Sequence, residues 1–168
     1  MTDLYQSEKH FLERVADLIP GIAGYRRKEA ARDTDKRLRE YMARQIDFLR
    51  HRVEDFKGAL MQQGRIDLLD DVDLLARKMA RLADLIRYAS YGYAGLFDPV
   101  KFRDQELAQL YQMDVQLLDQ VRTVQSIVDT LDAAQDPGMQ LRQLQEALNQ
   151  LDERFQARNQ LFRQPLKE

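Results

Sequence analysis

The 168-residue sequence contains no cysteine and has only seven glycines, four prolines and two histidines. Without cysteine the chain can form neither disulfides nor thiolate zinc sites, and a cysteine nucleophile is excluded. Few glycines and prolines, together with 44% hydrophobic and 32% charged residues, are typical of a folded helical protein. We therefore expect residues 1–168 to form a single helical domain.

Long apolar runs are also missing from the sequence. No stretch approaches the roughly 18 apolar residues that would span a bilayer. The first residues, Met1 to Gln6, lack the basic and apolar regions of a signal peptide. Together with the absence of cysteine, these features predict a cytoplasmic protein without a transmembrane segment.

The net charge is only −2, but it is unevenly distributed along the chain. Residues 26–57 contain eleven Lys and Arg against seven Asp and Glu, which is a net charge of +4. Residues 98–168 contain eight bases against twelve acids, a net charge of −4. We expect an electrostatic polarity that the total charge hides.

Apolar residues recur at alternating steps of three and four through nearly the whole sequence, and no segment shows the alternation of a strand. This period predicts an all-α fold, an elongated antiparallel bundle of about five helices with a long central helix. The predicted helices span residues 3–19, 26–63, 67–91, 99–134 and 138–163.

Turn residues and helix lengths predict how these helices are connected. Gly64 is a plausible C-terminal cap of the second helix, and Asp98-Pro99 and Asp136-Pro137 each pair an N-capping acid with a proline in the first turn. The short second Asp-Pro turn predicts a C-terminal αα-hairpin. At about 1.5 Å per residue the second helix is as long as the first and third together. We therefore expect helix one along the first half of helix two, helix three along its second half, and the hairpin on the remaining face.

A glycine-bearing loop from Pro20 delivers three consecutive cations to the start of the second helix. Because the helix dipole disfavours cations there by about 0.3–1 kcal/mol each, one interpretation is a site for phosphate, a lipid headgroup, nucleic acid or an acidic protein segment. The other is a solvated run of charges that pair with neighbouring acids. The candidate anion-binding or partner-binding residues are Gly24, Tyr25, Arg26, Arg27, Lys28, Arg32, Lys36 and Arg39.

Aromatic residues interrupted by two glycines connect the third and fourth helices in residues 88–98. The rings can either close the end of the bundle or line a pocket for a flat ligand or a proline-containing peptide. The candidate pocket residues are Tyr88, Tyr91, Tyr93 and Phe97.

Each helix of the predicted hairpin has a seam, the row of apolar residues at steps of three and four that faces its neighbour. Two charged residues occupy positions in these seams. Asp114 lies between Leu110 and Leu117, and Arg158 lies between Phe155 and Phe162. Both are about 22 residues from the turn near Asp136, so antiparallel packing brings them to the same level. We predict a buried structural ion pair, with solvent exposure of both residues as the alternative.

Neither a metal site nor a catalytic centre is predicted. A di-metal carboxylate bundle needs Glu-x-x-His motifs on inward faces, whereas His10 and His51 occur in the reverse order, each three residues before a glutamate outside the apolar stripes. Two histidines on exposed helical positions also provide no oriented base for a serine nucleophile. We expect no cofactor and no enzymatic activity.

Two segments, Gly24 to Ala30 and Tyr88 to Asp98, resemble parts of small, uncharacterised bacterial helical proteins. The resemblance covers about the first two-thirds of the chain and implies a helical fold. It implies no activity and transfers no functional residue.

The sequence favours a non-enzymatic helical adaptor or scaffold that binds another protein and also itself. Helices four and five are rich in glutamine, and uncharged flanks beside a leucine seam repel a second copy less than charged ones do. The alternative is a peripheral binder of an anionic surface, either phospholipid headgroups or nucleic acid, through the basic start of the second helix.

Overall fold

The computed structural model describes residues 2–16, 28–89 and 104–161. Within these ranges the chain forms helices and no strand, which confirms the predicted all-α helical bundle. The α-helices are α1 (Thr2–Ala16), α2 (Lys28–Gln62), α3 (Leu69–Arg87), α4 (Asp104–Asp129) and α5 (Pro137–Leu161), and a 3-10 turn (Ile66–Leu68) precedes α3. No helix in these ranges combines the length and apolar character needed to cross a bilayer.

The end of α2 is set by Gly64. The backbone N–H of Arg65 donates to the Leu60 carbonyl at 2.8 Å, and that of Gly64 donates to the Met61 carbonyl at 3.1 Å. This pair of bonds is the Schellman motif, which requires a left-handed residue just past the helix. Gly64 supplies it with a φ of 72°, so the predicted cap is confirmed.

The start of α5 is set by Asp136 and Pro137. The Asp136 carboxylate accepts a hydrogen bond from the backbone N–H of Met139 at 3.0 Å, and Pro137 occupies the first helical position. A side-chain acceptor at the N-cap and a proline that has no N–H to satisfy both favour a helix start. The preceding helix, α4, ends at Asp129, five residues earlier than predicted.

The α2–α3 pair and the α4–α5 pair are both antiparallel. In the first pair Arg39 contacts the end of α3, whereas Lys57 bonds to Asp73 near its start. In the second pair Gln140 at the start of α5 donates to the Ile127 carbonyl at the end of α4, at 3.3 Å. Each pair is therefore a hairpin closed by a short turn.

The two hairpins pack against each other with α2 parallel to α4 and α3 parallel to α5. Arg52 near the end of α2 bonds to Asp129 at the end of α4. Lys78 and Arg81 along α3 bond to Asn149 and Asp152 along α5, in the same direction. As a result, the α2–α3 turn and the α4–α5 turn lie at the same end of the bundle.

A single cluster of buried side chains fills the space between the helices. The apolar stripes predicted for α2, α3, α4 and α5 are buried wherever their side chains are described, except for half-buried Leu69 at the start of α3. Phe11 and Val15 of α1 are buried as well. Periods of three and four place such residues on one face of each helix, and burying those faces together is the main stabilising term of the fold.

The predicted position of helix one was wrong. α1 packs chiefly against α4 and not along the first half of α2. The rings of Phe11 and Tyr111 stack with centroids 4.7 Å apart, and Arg14 bonds to Asp119. The prediction rested on the match between the length of the second helix and the combined length of the first and third, and length does not determine which helices pack together. The contact is determined by the side chains, and those of α4 match the apolar and charged side chains of α1. The corner expected at Pro20–Gly24 lies outside the described residues.

Candidate functional site

Arg158 of α5 joins three helices at the centre of a buried charge network. Its Nε donates to Oδ1 of Asp114 on α4 at 2.5 Å, and its Nη2 donates to Oδ1 of Asp35 on α2. The structure therefore brings Asp114 and Arg158 together as an ion pair, and adds Asp35 as a second carboxylate on the same guanidinium.

Arg39 completes this network on the side of α3. Its Nε donates to Asp35 at 3.0 Å, and its Nη1 donates to the carbonyls of Ile86 and Arg87 at 3.3 Å and 3.1 Å. Carbonyls in the last turn of a helix have no partner within the helix and carry its negative dipole end. The guanidinium therefore satisfies and neutralises the end of α3.

The four charged residues of the network are almost completely removed from solvent: Arg158 is 0% exposed, Asp114 and Arg39 2%, and Asp35 4%. Burial raises the pKa of Asp114 to about 6, against the opposing attraction of Arg158. The network contains two arginines and two aspartates, so opposite charges are present in equal number, and pairing is the condition for burying ions at tolerable cost. Closed to solvent and bonded to one another and to the end of α3, these side chains tie α2, α3, α4 and α5 together inside the bundle.

The sequence contained a signal for Asp35 and Arg39 that the seam analysis missed. Asp35 lies three residues before Leu38, so it extends the buried stripe of α2 by one step. Arg39 lies one turn after Asp35 and can bond to it along the helix. The spacing of buried positions in α2 continues one step before Leu38 and reaches Asp35. Asp35 is therefore a charged residue at a buried position, which is the argument that identified Asp114.

Of the predicted anion-binding residues, the structure describes the side chains of Lys36 and Arg39. Arg39 is buried and bonded to Asp35 and two carbonyls, so it cannot reach an external anion. Lys36 is exposed and lies 4.0 Å from Glu40, one turn away. The side chains of Lys28 and Arg32 on α2 lie outside the described part of the chain, as do the loop residues Gly24, Tyr25, Arg26 and Arg27.

Of the predicted aromatic pocket, the structure describes only Tyr88, the residue that follows α3. Tyr88 is 72% exposed, and the guanidinium of Arg87 lies 5.8 Å from the centre of its ring. The other three residues, Tyr91, Tyr93 and Phe97, lie outside the described residues.

The two histidines are both exposed. His51 Nδ1 lies 3.3 Å from a Glu54 oxygen on the same helix. Across the described ranges, no group of three or more His, Asp or Glu side chains is placed to hold a metal ion.

Glutamines of α4 and α5 fasten the two helices together. Gln120 is buried and donates to the Ala147 carbonyl at 3.0 Å and to the Gln150 side chain at 3.3 Å. Gln140 donates to Thr130 at 2.6 Å, next to the turn. Part of the glutamine content is thus explained by hydrogen bonds inside the hairpin.

A group of large apolar side chains is exposed at the end of the bundle where the two turns meet. We call residues 61–71 and 130–142 the tip. Met61, Ile66 and Met139 within it are 58%, 69% and 50% exposed. Apolar side chains exposed singly are normal on a protein surface, but a group of them within one region is typical of an interaction site.

Contacts between the two turns bring the halves of the tip together. A Cβ built at Gly138 would lie 3.6 Å from Cδ2 of Leu68. The hydrogen bond to Asp67 and, to a smaller extent, the charge of Asp136 raise the pKa of Arg65. Ile66 and Met139 lie next to these contacts in sequence, at the end of the bundle that the two segments share.

Searches for similar proteins add nothing to this surface. No protein-family model, curated protein or solved structure matches the chain. The comparisons therefore transfer no functional residue.

Proposed function

We propose that this protein is a non-enzymatic helical adaptor or scaffold that binds another protein through the tip and that also associates with a second copy of itself. The observation that carries the proposal is the exposure of Met61, Ile66 and Met139 on the two segments of the tip, which contact each other at Leu68 and Gly138. Full burial of such a side chain contributes about 1.5–3 kcal/mol. A partner that covers the exposed parts of all three therefore gains a favourable contribution to the free energy of binding.

The other exposed apolar side chains are weaker candidates for a binding site than the tip. Leu74 and Leu85 lie on one stripe of α3, and the residues between them on that stripe, Lys78 and Arg81, bond across to α5. Phe48 is exposed on α2, away from both turns. These side chains are separated by charged and polar residues, whereas the tip contains three exposed apolar side chains in two segments that contact each other.

The experiment is site-specific photo-crosslinking in the cells that produce the protein. A benzophenone amino acid replaces Ile66 or Met139, and a control replaces Arg77, an exposed residue in the middle of α3. We expect protein adducts from the two tip positions and not from the control. The adduct mass separates a second copy from another protein, and tip positions that yield no adduct contradict the proposal.

Binding to an anionic surface through the basic start of α2 is the second candidate. Exposed Lys36 favours it, but Arg39 is committed to the core. Phosphatidylserine vesicles and duplex DNA are suitable probes, because phosphate binding weakens steeply with salt. Salt-sensitive binding that Lys36→Gln reduces would favour this candidate over the tip.

A further inference from the structure

The exposed apolar residues of the tip lie among acidic residues in the sequence. The two segments that form it contain five acids and two bases, a net charge of −3. The acids are Asp67, Asp70, Asp71, Asp132 and Asp136, and all five are exposed.

The bases of the tip do little to offset this charge. Arg65 donates to Asp67 from Nε at 3.1 Å and from Nη2 at 3.0 Å, and this bonding lowers the pKa of Asp67. Arg65 thus neutralises one acid of its own turn. Four acids then remain against one base, Arg142: Asp70, Asp71, Asp132 and Asp136.

We propose that the tip binds a protein segment that presents apolar anchors flanked by Lys or Arg, such as a basic amphipathic helix. The inference rests on the proposed function and adds the chemistry of the partner. Apolar anchors cover Met61, Ile66 and Met139, while flanking cations meet the acids around them. Complementary charge selects the partner and speeds its encounter, and burial of the apolar side chains holds it.

The same charge argues against other occupants of this surface. Nucleic acid and anionic lipid carry the sign of the tip and are repelled by it. A second copy bound tip to tip would also place equal net charges opposite each other. A second copy can bind only through a surface of different charge, so a basic segment of another protein is the occupant that fits.

The test uses two designed helical peptides of roughly 18 residues, one of leucine and lysine and one of leucine and glutamate. Binding of each fluorescently labelled peptide to the intact chain is followed by anisotropy. We expect the lysine peptide to bind at least about tenfold more tightly, a difference of about 1.4 kcal/mol. The preference should shrink as salt rises, because salt screens exposed charges.

Matched variants place this binding on the tip. Ile66→Gln with Met139→Gln should weaken binding of the lysine peptide about tenfold, whereas Phe48→Gln, at a similarly exposed apolar residue of α2 away from both turns, should leave it unchanged. Asp71→Asn with Asp132→Asn should weaken binding and flatten its salt dependence, whereas Asp55→Asn, an exposed acid on α2, should not.

Equal binding of both peptides, or full binding by the tip variants, overturns the inference. If tip crosslinks form in cells but the peptides show no preference for lysine, only the partner chemistry is wrong. If neither crosslinks nor peptide binding involves the tip, the proposed function fails as well.

Discussion

Arg158 donates from Nε to Oδ1 of Asp114 at 2.5 Å, with both side chains buried in the centre of the bundle. The pair fixes the level at which α4 and α5 face each other. Because Arg158 also bonds to Asp35 of α2, the same guanidinium fastens the C-terminal hairpin to the long helix.

Removal of Arg158 should be strongly destabilising. Arg158→Met leaves Asp114 buried without its cation and deprives Asp35 of one of its two, so we expect a loss of about 3–5 kcal/mol in the free energy of unfolding. Urea denaturation measures it. The double variant Arg158→Met with Asp114→Leu should be more stable than Arg158→Met alone, and a double variant whose loss equals the sum of the two single losses would contradict the coupling.

Stability should depend on pH through Asp114. Burial raises the pKa of this carboxyl from 3.8 to about 6, so the folded state holds a proton that the unfolded state releases. The contribution of Asp114 to stability is therefore fully present below pH 4 and is lost as pH rises through about 6.

The control for this pH effect is Asp114→Asn, which keeps the other charged residues of the network: Asp35, Arg39 and Arg158. The unfolding free energy of the wild type minus that of the variant should increase as pH falls from 7 to 4. Urea denaturation at several pH values measures the difference. If this difference in unfolding free energy decreases on acidification, the predicted direction of the pH effect of Asp114 is wrong.

Two glycines of α2 and its turn should respond in opposite directions to alanine. Gly64 has a φ of 72°, where a Cβ is strained, so Gly64→Ala should destabilise the fold by about 1–2 kcal/mol. Gly58 lies inside the helix with open space around its Cβ position, so Gly58→Ala should stabilise by about 0.5–1 kcal/mol. Thermal denaturation of both variants tests the pair, and shifts of the same sign would contradict the cap geometry.

Phe11 should hold α1 on α4. Phe11 is 1% exposed and stacks on Tyr111, so Phe11→Ala should cost about 3–5 kcal/mol. Hydrogen exchange should show α1 amides losing protection before those of α3. His10→Ala, at the exposed neighbouring position, is the control and should change neither the free energy of unfolding nor the protection of the α1 amides. Unaltered α1 protection in Phe11→Ala would mean that α1 is held elsewhere.

Much of the fold could be predicted from the sequence because helix periodicity and caps are local signals. Gly64 and Asp136-Pro137 set two helix ends where expected. Asp114 and Arg158 could be paired because each interrupts a seam at the same distance from one turn. That argument needs only a hairpin and a count of residues.

The remaining features depend on contacts between elements distant in sequence. The choice of α4 by α1 follows from the match of Phe11 and Tyr111 and from the Arg14–Asp119 pair, which no local pattern encodes. The tip requires that the two hairpins pack in parallel. Turn residues such as Gly64 end a helix but do not specify which other turn lies beside it.

The central claim is that the two turns form one surface, since both the proposed function and the chemistry of the partner depend on it. The chain has no cysteine, so Ile66→Cys with Met139→Cys introduces the only two thiols and accepts one nitroxide label at each. Pulsed electron paramagnetic resonance then measures the distance between the labels. We predict roughly 20 Å, about two helix widths. A distance near 40 Å, about the length of α4, would place the turns at opposite ends and contradict the account.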